Sequence, residues 1–380
     1  MDAAREHSGS LVHEGPKPRA MVAMSGGVDS SVAALLALEG GLDATGVTCK
    51  MFGSNVLGSD GDGFDAFMDE VDDAKQVCRR LGIEHFVFNY KDAFEQCVIG
   101  KFVDDYLNGR TPNPCVDCNA HVKFGALHRR REQLGFDVLV TGHYARVEQD
   151  EATGRWRLLR ARHAKKDQSY MLCRLSQEQL AHSAFPLGAL SKDEVRDLAQ
   201  AAGFSNARKG ESQDICFVPD GDYAGFIERW MHGKPGAAGM PGPIEDSSGR
   251  MLGEHAGLFR YTIGQRKGIG VAVGEPLYVV AKDGARNALV VGTRDELMVR
   301  RVDGDDVNLV SLAPEEANSG ELRVMAKTSY RQLPRAATAR FLGNGITLEF
   351  EEPIVRPAPG QTLAIYYTAG EAVLAGATIT

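Results

Sequence analysis

Arg19-Ala20-Met21-Val22-Ala23-Met24-Ser25-Gly26-Gly27-Val28-Asp29-Ser30-Ser31 decides how the rest of the chain is read. The apolar run Arg19–Met24 reads as a buried parallel strand. A glycine-containing turn follows, and Ser30–Glu39 carries apolar residues all along it, as a buried helix does. A strand that turns into a helix aims backbone N–H groups and the positive end of the helix dipole at one point, where an anion is held. Gly26 and Gly27 permit positive φ and a close backbone approach to oxygen atoms. Ser25, Ser30 and Ser31 add hydroxyl donors, and Asp29 offers a hard oxygen ligand to Mg2+. The spacing is not G-x-x-x-x-G-K-[ST] and the loop has no Lys, so it is not a Walker P-loop.

Outward from the loop, Ala44–Cys49 reads as a second strand and Ala66–Leu81 as a helix closed by Gly82. Glu84–Phe88 is a third strand, Asp92–Leu107 a helix, and Asn108–Cys118, with Gly109, Pro112 and Pro114, a loop. Asn119–Leu134 is helical again and Asp137–Thr141 is a strand. Strands alternating with helices imply an α/β fold with an open, mostly parallel sheet and ligands at the C-terminal ends of its strands. From about residue 206 the pattern changes: residues 206–275 are rich in Gly and Pro with one clear helix near Asp222–Met231, a small central domain. Leu277–Ala281, Ala288–Val291, Glu321–Lys327, Ala337–Phe341, Ile346–Phe350 and Thr362–Tyr367 are short strands between turns, an all-β barrel module. The expected organisation is a tail at 1–18, the parallel-sheet domain at 19–205, the central domain at 206–275 and the barrel at 276–380.

The chain has 380 residues, enough for several cores, with 43 % apolar and 25 % charged residues, the balance of a globular protein. Its sequence has no apolar run near the ~20 residues that span a bilayer, so no membrane partner is expected. Met1–Pro18 lacks the apolar core of a signal peptide and is expected to be a disordered tail, which places the chain in the cytoplasm. The net charge of −8 argues against nucleic-acid binding only if charge is evenly spread. It is not: Asp60–Asp73 carries seven acidic residues and no Lys or Arg, whereas Arg155–Arg174 carries seven basic residues and one Asp. A phosphate backbone responds to the local field, although solvated faces have the same composition.

Seven cysteines in a reducing compartment point to catalysis, redox chemistry or metal rather than structural disulfides. Cys49, Cys78, Cys97 and Cys173 fall within expected strands or helices, where Cys is usually a small buried apolar residue. Cys115-Val116-Asp117-Cys118 precedes a helix, a position that favours thiolate, and Cys216 follows about a hundred residues later. Three readings remain open: a zinc site, an iron–sulfur cluster with Cys216 as third ligand, or Cys118 and Cys216 acting together as nucleophile and sulfur carrier.

The string Ser25-Gly26-Gly27-Val28-Asp29-Ser30 between strand and helix resembles the pyrophosphate loop of the N-type ATP pyrophosphatases, which adenylate an oxygen of their substrate. Further strings narrow the resemblance: Thr111-Pro112-Asn113-Pro114, Cys118-Asn119, Val122-Lys123-Phe124, Thr141 to Arg146, Lys166 to Tyr170, Glu211 to Phe217 and Tyr261 to Gly268. From Arg19 onward the chain is similar to the tRNA-specific 2-thiouridylase family. The resemblance implies ATP with Mg2+ at Ala23, Met24, Ser25, Gly26, Gly27, Val28, Asp29 and Ser30, with Met51 and Gly142 also touching the nucleotide. It implies tRNA as substrate and a sulfur-donor protein as partner. Cys216 would receive a persulfide sulfur, with Cys118 as its nucleophilic partner, and the two would close a disulfide as sulfur leaves. Asn113, Pro114 and Cys115 would face the target base. His143, Lys166, Asp167, Gln168, Ser329, Tyr330 and Gln361 would contact tRNA. One departure matters: some family members carry Asp, proposed as a general acid/base, where this chain has Cys115. Proton transfer then falls to Asp117, to water, or to no side chain, and Cys115 becomes an alternative disulfide partner for Cys118.

Overall fold

A computed structural model describes residues 16–53, 62–210, 215–232, 239–271, 274–368 and 371–380. Most of the expected tail, the first residues of the acidic run and Glu211–Asp214 lie outside the described residues. The chain forms two compact units, residues 1–95 with 119–213 and residues 96–118 with 214–380.

The strands of the first unit are β1 (Arg19–Ala23), β2 (Asp43–Lys50), β3 (His85–Asn89), β4 (Val138–Val140), β5 (Ala145–Gln149), β6 (Trp156–Arg160) and β7 (Ser183–Ala184). Five of them make one sheet in the order β3-β2-β1-β4-β7, with every pair parallel. Ala20, Met21 and Val22 of β1 are fully buried, as a central strand covered on both faces requires. Helix α1 (Val28–Glu39) lays Val32, Ala33, Ala34 and Ala37 into the same core as Ala20 and Val22, together with Val195 and Ala199 of the helix Lys192–Ala201. Its small side chains allow that close packing. Helix α2 (Asp62–Leu81) adds Ala74, Val77 and Cys78. The chain runs from β1 outward through β2 to β3, then returns to β4 on the other side of β1. The strand order therefore reverses between β1 and β4, and their C-terminal ends flank the crevice where such sheets bind ligands. The antiparallel hairpin β5/β6 was not anticipated; four of its ten strand residues are charged, so the strand alternation is hard to see.

The expected loop at Asn108–Cys118 is corrected by the structure, because a helical turn begins inside it at Pro114–Asp117. Pro at the first helical position loses nothing, since its N–H would have no helical partner and its φ is already helical. Asn113 caps the turn by accepting from the Val116 N–H at 3.4 Å.

In the second unit the helix Lys101–Leu107 buries Phe102, Val103 and Tyr106. Phe102 meets Phe217 edge-on at 5.2 Å and Phe226 at 6.1 Å, Phe217 meets Phe226 at 5.2 Å, and Tyr106 stacks on Tyr223 at 4.7 Å. Phe226 and Tyr223 belong to the helix Tyr223–Met231, which Asp222 caps through the Gly225 N–H. A four-stranded sheet follows, made of β8 (Gly242–Asp246), β9 (Met251–His255), β10 (Tyr278–Asp283) and β11 (Ala288–Gly292) in the order β10-β11-β8-β9. The strands near 277–281 and 288–291, expected in the barrel, thus join the sheet of β8 and β9 instead. Alternation marks a strand but does not say which sheet it joins, and here β11 lies parallel to β8 across a long connection. The barrel itself is closed, in the order β12-β15-β14-β13-β16-β17, from β12 (Met298–Leu309), β13 (Glu321–Lys327), β14 (Arg335–Leu342), β15 (Gly345–Val355), β16 (Thr362–Tyr367) and β17 (Val373–Ile379). Closure leaves no unpaired edge, and Leu348, Leu363, Ile365 and Ala375 fill the interior.

Phe102→Ala removes the ring that joins Phe217 to the 101–107 helix and should cost about 3–5 kcal/mol. Urea unfolding is expected to show a lower midpoint with an unchanged slope.

Candidate active site

The turn after β1 is shaped by what presses on it. Gly26 has φ 70°, which a residue with a Cβ adopts at a cost. A Cβ there would also overlap the carbonyl oxygen of Glu70 on α2. From the far side, Gly142 follows β4 so closely that a Cβ on it would stand 2.8 Å from the Asp29 carbonyl carbon and 2.9 Å from the Ser30 nitrogen. Asn206 is buried and donates its amide to Gly26 O and Ser31 Oγ, both at 2.9 Å. Within the turn, Ser25 N–H donates to Ser30 Oγ at 3.2 Å, and the Ser30 and Ser31 hydroxyls donate to Gly27 O at 3.0 Å. The side chains of Met24 and Val28 belong to the core, and the Met24 N–H is spent on Val47 O at 2.8 Å. Ala23 is half-buried at the end of β1, and Met51 is half-buried just beyond β2.

Asp29 stands in the first turn of α1. Its carboxylate accepts from Lys192 Nζ at 2.7 and 2.9 Å and from the Tyr144 hydroxyl at 2.8 Å. Lys192 is itself only 9 % exposed, so the ammonium is held inside by this partner. The expected role of Asp29 as a Mg2+ ligand does not fit this arrangement, since both carboxylate oxygens are already engaged by a cation and a hydroxyl. Among the described residues no group of three or more His, Cys, Asp or Glu is placed to hold a metal ion. The turn does fit a polyphosphate: it has a glycine backbone without Cβ atoms and a helix N-terminus, and the Lys192–Asp29 pair stands at the start of that helix.

The residues expected at RNA are placed unequally. Thr141 Oγ1 and His143 Nδ1 are 2.7 Å apart, and the His143 ring packs near Phe124 and Phe185. Burial, with nearby Lys123 adding to it, pushes His143 well below the usual imidazole pKa, so it is neutral at physiological pH. Gln168 accepts from Tyr144 N at 2.9 Å. Asp167 is buried, and its carboxylate takes Arg160 Nε, Ala161 N, Ser169 N and Ser169 Oγ, each at 3.1 Å. It ties the hairpin to the following turn, which leaves exposed Lys165 and half-buried Lys166 to face outward. Ser329 and Tyr330 follow β13, with Lys327 Nζ 5.6 Å from the Tyr330 ring centre. Gln361 donates its amide to Thr111 O and Pro112 O, both at 3.1 Å.

In the second unit Cys115 is exposed and Cys118 half-buried, three positions apart on a helical backbone and so on one face. Cys216 is exposed, and the residue after it, Phe217, is buried against Phe102. Asp117 lies 3.1 Å from Lys101 Nζ, which also holds Asp105 at 2.8 Å. Burial works against the Lys101 ammonium, but the two carboxylates outweigh it and its pKa is raised. Asp117 is therefore one half of an ion pair. The remaining thiols differ: Cys78 and Cys173 are buried, which pushes their pKa to about 11 and about 12, while Cys49 and Cys97 are half-buried.

Residues 18–220 match the family model "tRNA methyl transferase HUP domain", 234–293 "tRNA methyl transferase PRC-barrel domain" and 301–379 "Aminomethyltransferase beta-barrel domain". The chain is 46 % identical over 360 residues to the tRNA-specific 2-thiouridylase MnmA of Moorella thermoacetica, covering 94 % of this chain and 98 % of that one. The chain belongs to the tRNA-specific 2-thiouridylase family. A second member, from Geobacter metallireducens, is 44 % identical over 371 residues, with 96 % and 98 % of the chains covered. A solved NMN synthetase from Francisella tularensis is similar at 18 % identity and a TM-score of 0.34, over 61 % of this chain and 83 % of that one. Among the described residues no helix is long and apolar enough to cross a membrane.

For a 2-thiouridylase family member, sequence reading missed Lys192, Tyr144 and Asn206 around the turn. Lys192 left a trace: it is the first residue of a helix capped by Ser191 with Glu194 in a capping box, where a cation opposes the helix dipole unless a carboxylate meets it. Gly142→Ala should force the Asp29–Ser30 peptide to move and weaken ATP binding by about tenfold or more, since a displacement of ~1 Å at such a site costs that much. Calorimetric titration with a non-hydrolysable ATP analogue, alongside a melting curve, checks it.

Proposed function

We propose that the chain uses ATP to thiolate the C2 position of the wobble uridine of tRNA, in the cytoplasm, with sulfur carried by Cys216. Membership of the 2-thiouridylase family supports the substrate class. The observation that carries the ATP reading is the turn at Ser25–Ser30, stripped of Cβ atoms at Gly26 and furnished with Lys192 through Asp29.

ATP supplies a leaving group for an oxygen that cannot depart from a pyrimidine ring unaided. The C2 oxygen attacks the α-phosphate, the Pα–O bond to pyrophosphate breaks, and the oxygen becomes an AMP ester. Backbone N–H groups at the start of the helix stabilise the charge on the phosphates, with the Lys192–Asp29 pair holding the turn in place, and such positioning does most of the work in these transfers. The uridine must leave its stack to be reached, which single-stranded anticodon bases do readily. The terminal sulfur of a Cys216 persulfide, loaded by a donor protein, then attacks C2 and AMP departs. The Cys118 thiolate attacks the Cys216 sulfur, the S–S bond to the base breaks, and C2=S is left with a Cys118–Cys216 disulfide. A thiol reductant returns both cysteines to thiols. No step is routed through Mg2+, and none through Asp117, which is paired with Lys101. Lys165, Lys166, Ser329 and Tyr330 are the proposed RNA contacts, with Asn113, Pro114 and Cys115 beside the base.

Cys216→Ser should abolish 2-thiouridine while leaving tRNA-dependent pyrophosphate release within about twofold, because only the second half-reaction loses its nucleophile. Nucleoside mass spectrometry and a pyrophosphate assay read the two halves separately. Thiouridine formed by this variant from protein-borne sulfur rejects the assignment.

A further inference from the structure

Thr111-Pro112-Asn113-Pro114 has an unusual shortage of backbone donors. Two of its four residues lack an N–H, so the segment cannot hold itself by a local ladder and its buried carbonyls must be met from outside. The turn before β16 meets them. Thr111 N–H donates to Pro359 O at 2.7 Å, and the single side-chain amide of Gln361 donates to Thr111 O and Pro112 O at 3.1 Å each. Gly360, at φ 89°, lets the two backbones close: a Cβ there would meet Arg110 Cβ and Thr111 N and O, all at 3.1 Å. The turn is in turn fixed to the barrel by Gly360 N–H to Ile379 O and Ile379 N–H to Gln361 O, both at 2.8 Å. On the other end of the segment, Asn113 caps the turn that carries Cys115 and leads to Cys118, and Lys101 pins Asp117. Thr111, Pro112, Pro114 and Val116 are all buried, so the segment is wedged rather than draped.

The geometry points to Gln361 as a positioning residue for the Cys118 thiol. It acts through the carbonyls of Thr111 and Pro112, one residue ahead of the helix cap that sets the direction of the cysteine-bearing turn. A contact to RNA alone would not place both amide hydrogens on protein carbonyls. The inference rests on the proposed role of Cys118 for its catalytic consequence, but the latch itself is a property of the protein without substrate.

The test uses the full chain with Gln361→Met, which keeps length and loses both donors, and Gln361→Glu, which sets a carboxylate against two carbonyl oxygens. Hydrogen exchange of the Thr111 and Val116 amides is measured without ATP or tRNA, followed by steady-state thiolation. Both variants should exchange faster at these amides while their melting curves stay near that of the parent. They should lose about tenfold or more in kcat, as loose positioning does, with tRNA KM changed by less than about threefold. Gln361→Glu should be the worse of the two. Unchanged exchange at Thr111 and Val116 overturns the latch. A raised tRNA KM with unchanged kcat overturns it in favour of an RNA contact, and faster exchange with unchanged kcat overturns the positioning role. Because exchange is read with no turnover, it stands or falls separately from the persulfide chemistry, which the Cys216→Ser experiment judges.

Discussion

A lysine ammonium in the first turn of a helix sits against the dipole, and a lysine nine-tenths withdrawn from water pays heavily for its charge. Asp29 is what makes Lys192 tolerable there, and Tyr144 completes the carboxylate's shell. The rest of the first unit's crevice depends on this pair. It joins the start of α1 to the start of the helix Lys192–Ala201, two elements that also share a core of small side chains. It places a cation beside a turn whose own sequence provides none. Truncating Asp29 would leave a buried charge without a partner, so its importance for the turn lies in structure and electrostatics before any metal is considered.

The second unit solves a different problem. Cys115, Cys118 and Cys216 sit in exposed or half-exposed positions, where precise placement is hard to maintain. The solution is to anchor their neighbours. Phe217, beside Cys216, is locked into a ring cluster with Phe102 and Phe226. Four residues before Cys115, Thr111 is fastened to the barrel. Asp117, beside Cys118, is fastened to Lys101. Each sulfur is thus one to a few residues from a rigid point, which leaves it accessible without leaving it loose.

The parallel sheet, the anion-binding turn and the barrel were legible in the sequence because each has a period or a spacing of its own: an apolar strand running into a glycine turn, or repeated short alternations. What escaped has no such signature. Pro114 looks like a loop breaker until its position as the first helical residue is seen. The strands β10 and β11 were visible as strands but not as members of the sheet that holds β8. Asp167 stands in a basic stretch and so invites a role at RNA, yet four donors bury it. Lys192, Tyr144 and Asn206 converge on the turn from more than a hundred positions away, and no local pattern records such meetings.

A member of the 2-thiouridylase family that carries seven thiols faces a problem of selectivity familiar from synthesis. For Cys78 and Cys173 the fold supplies the protecting group. With their acidities weakened to about 11 and about 12, no more than about one such thiol in ten thousand is ionised at neutral pH. A reactive sulfur species reaching these two buried sites would meet almost no thiolate, so scrambling onto the interior of the sheet domain is suppressed.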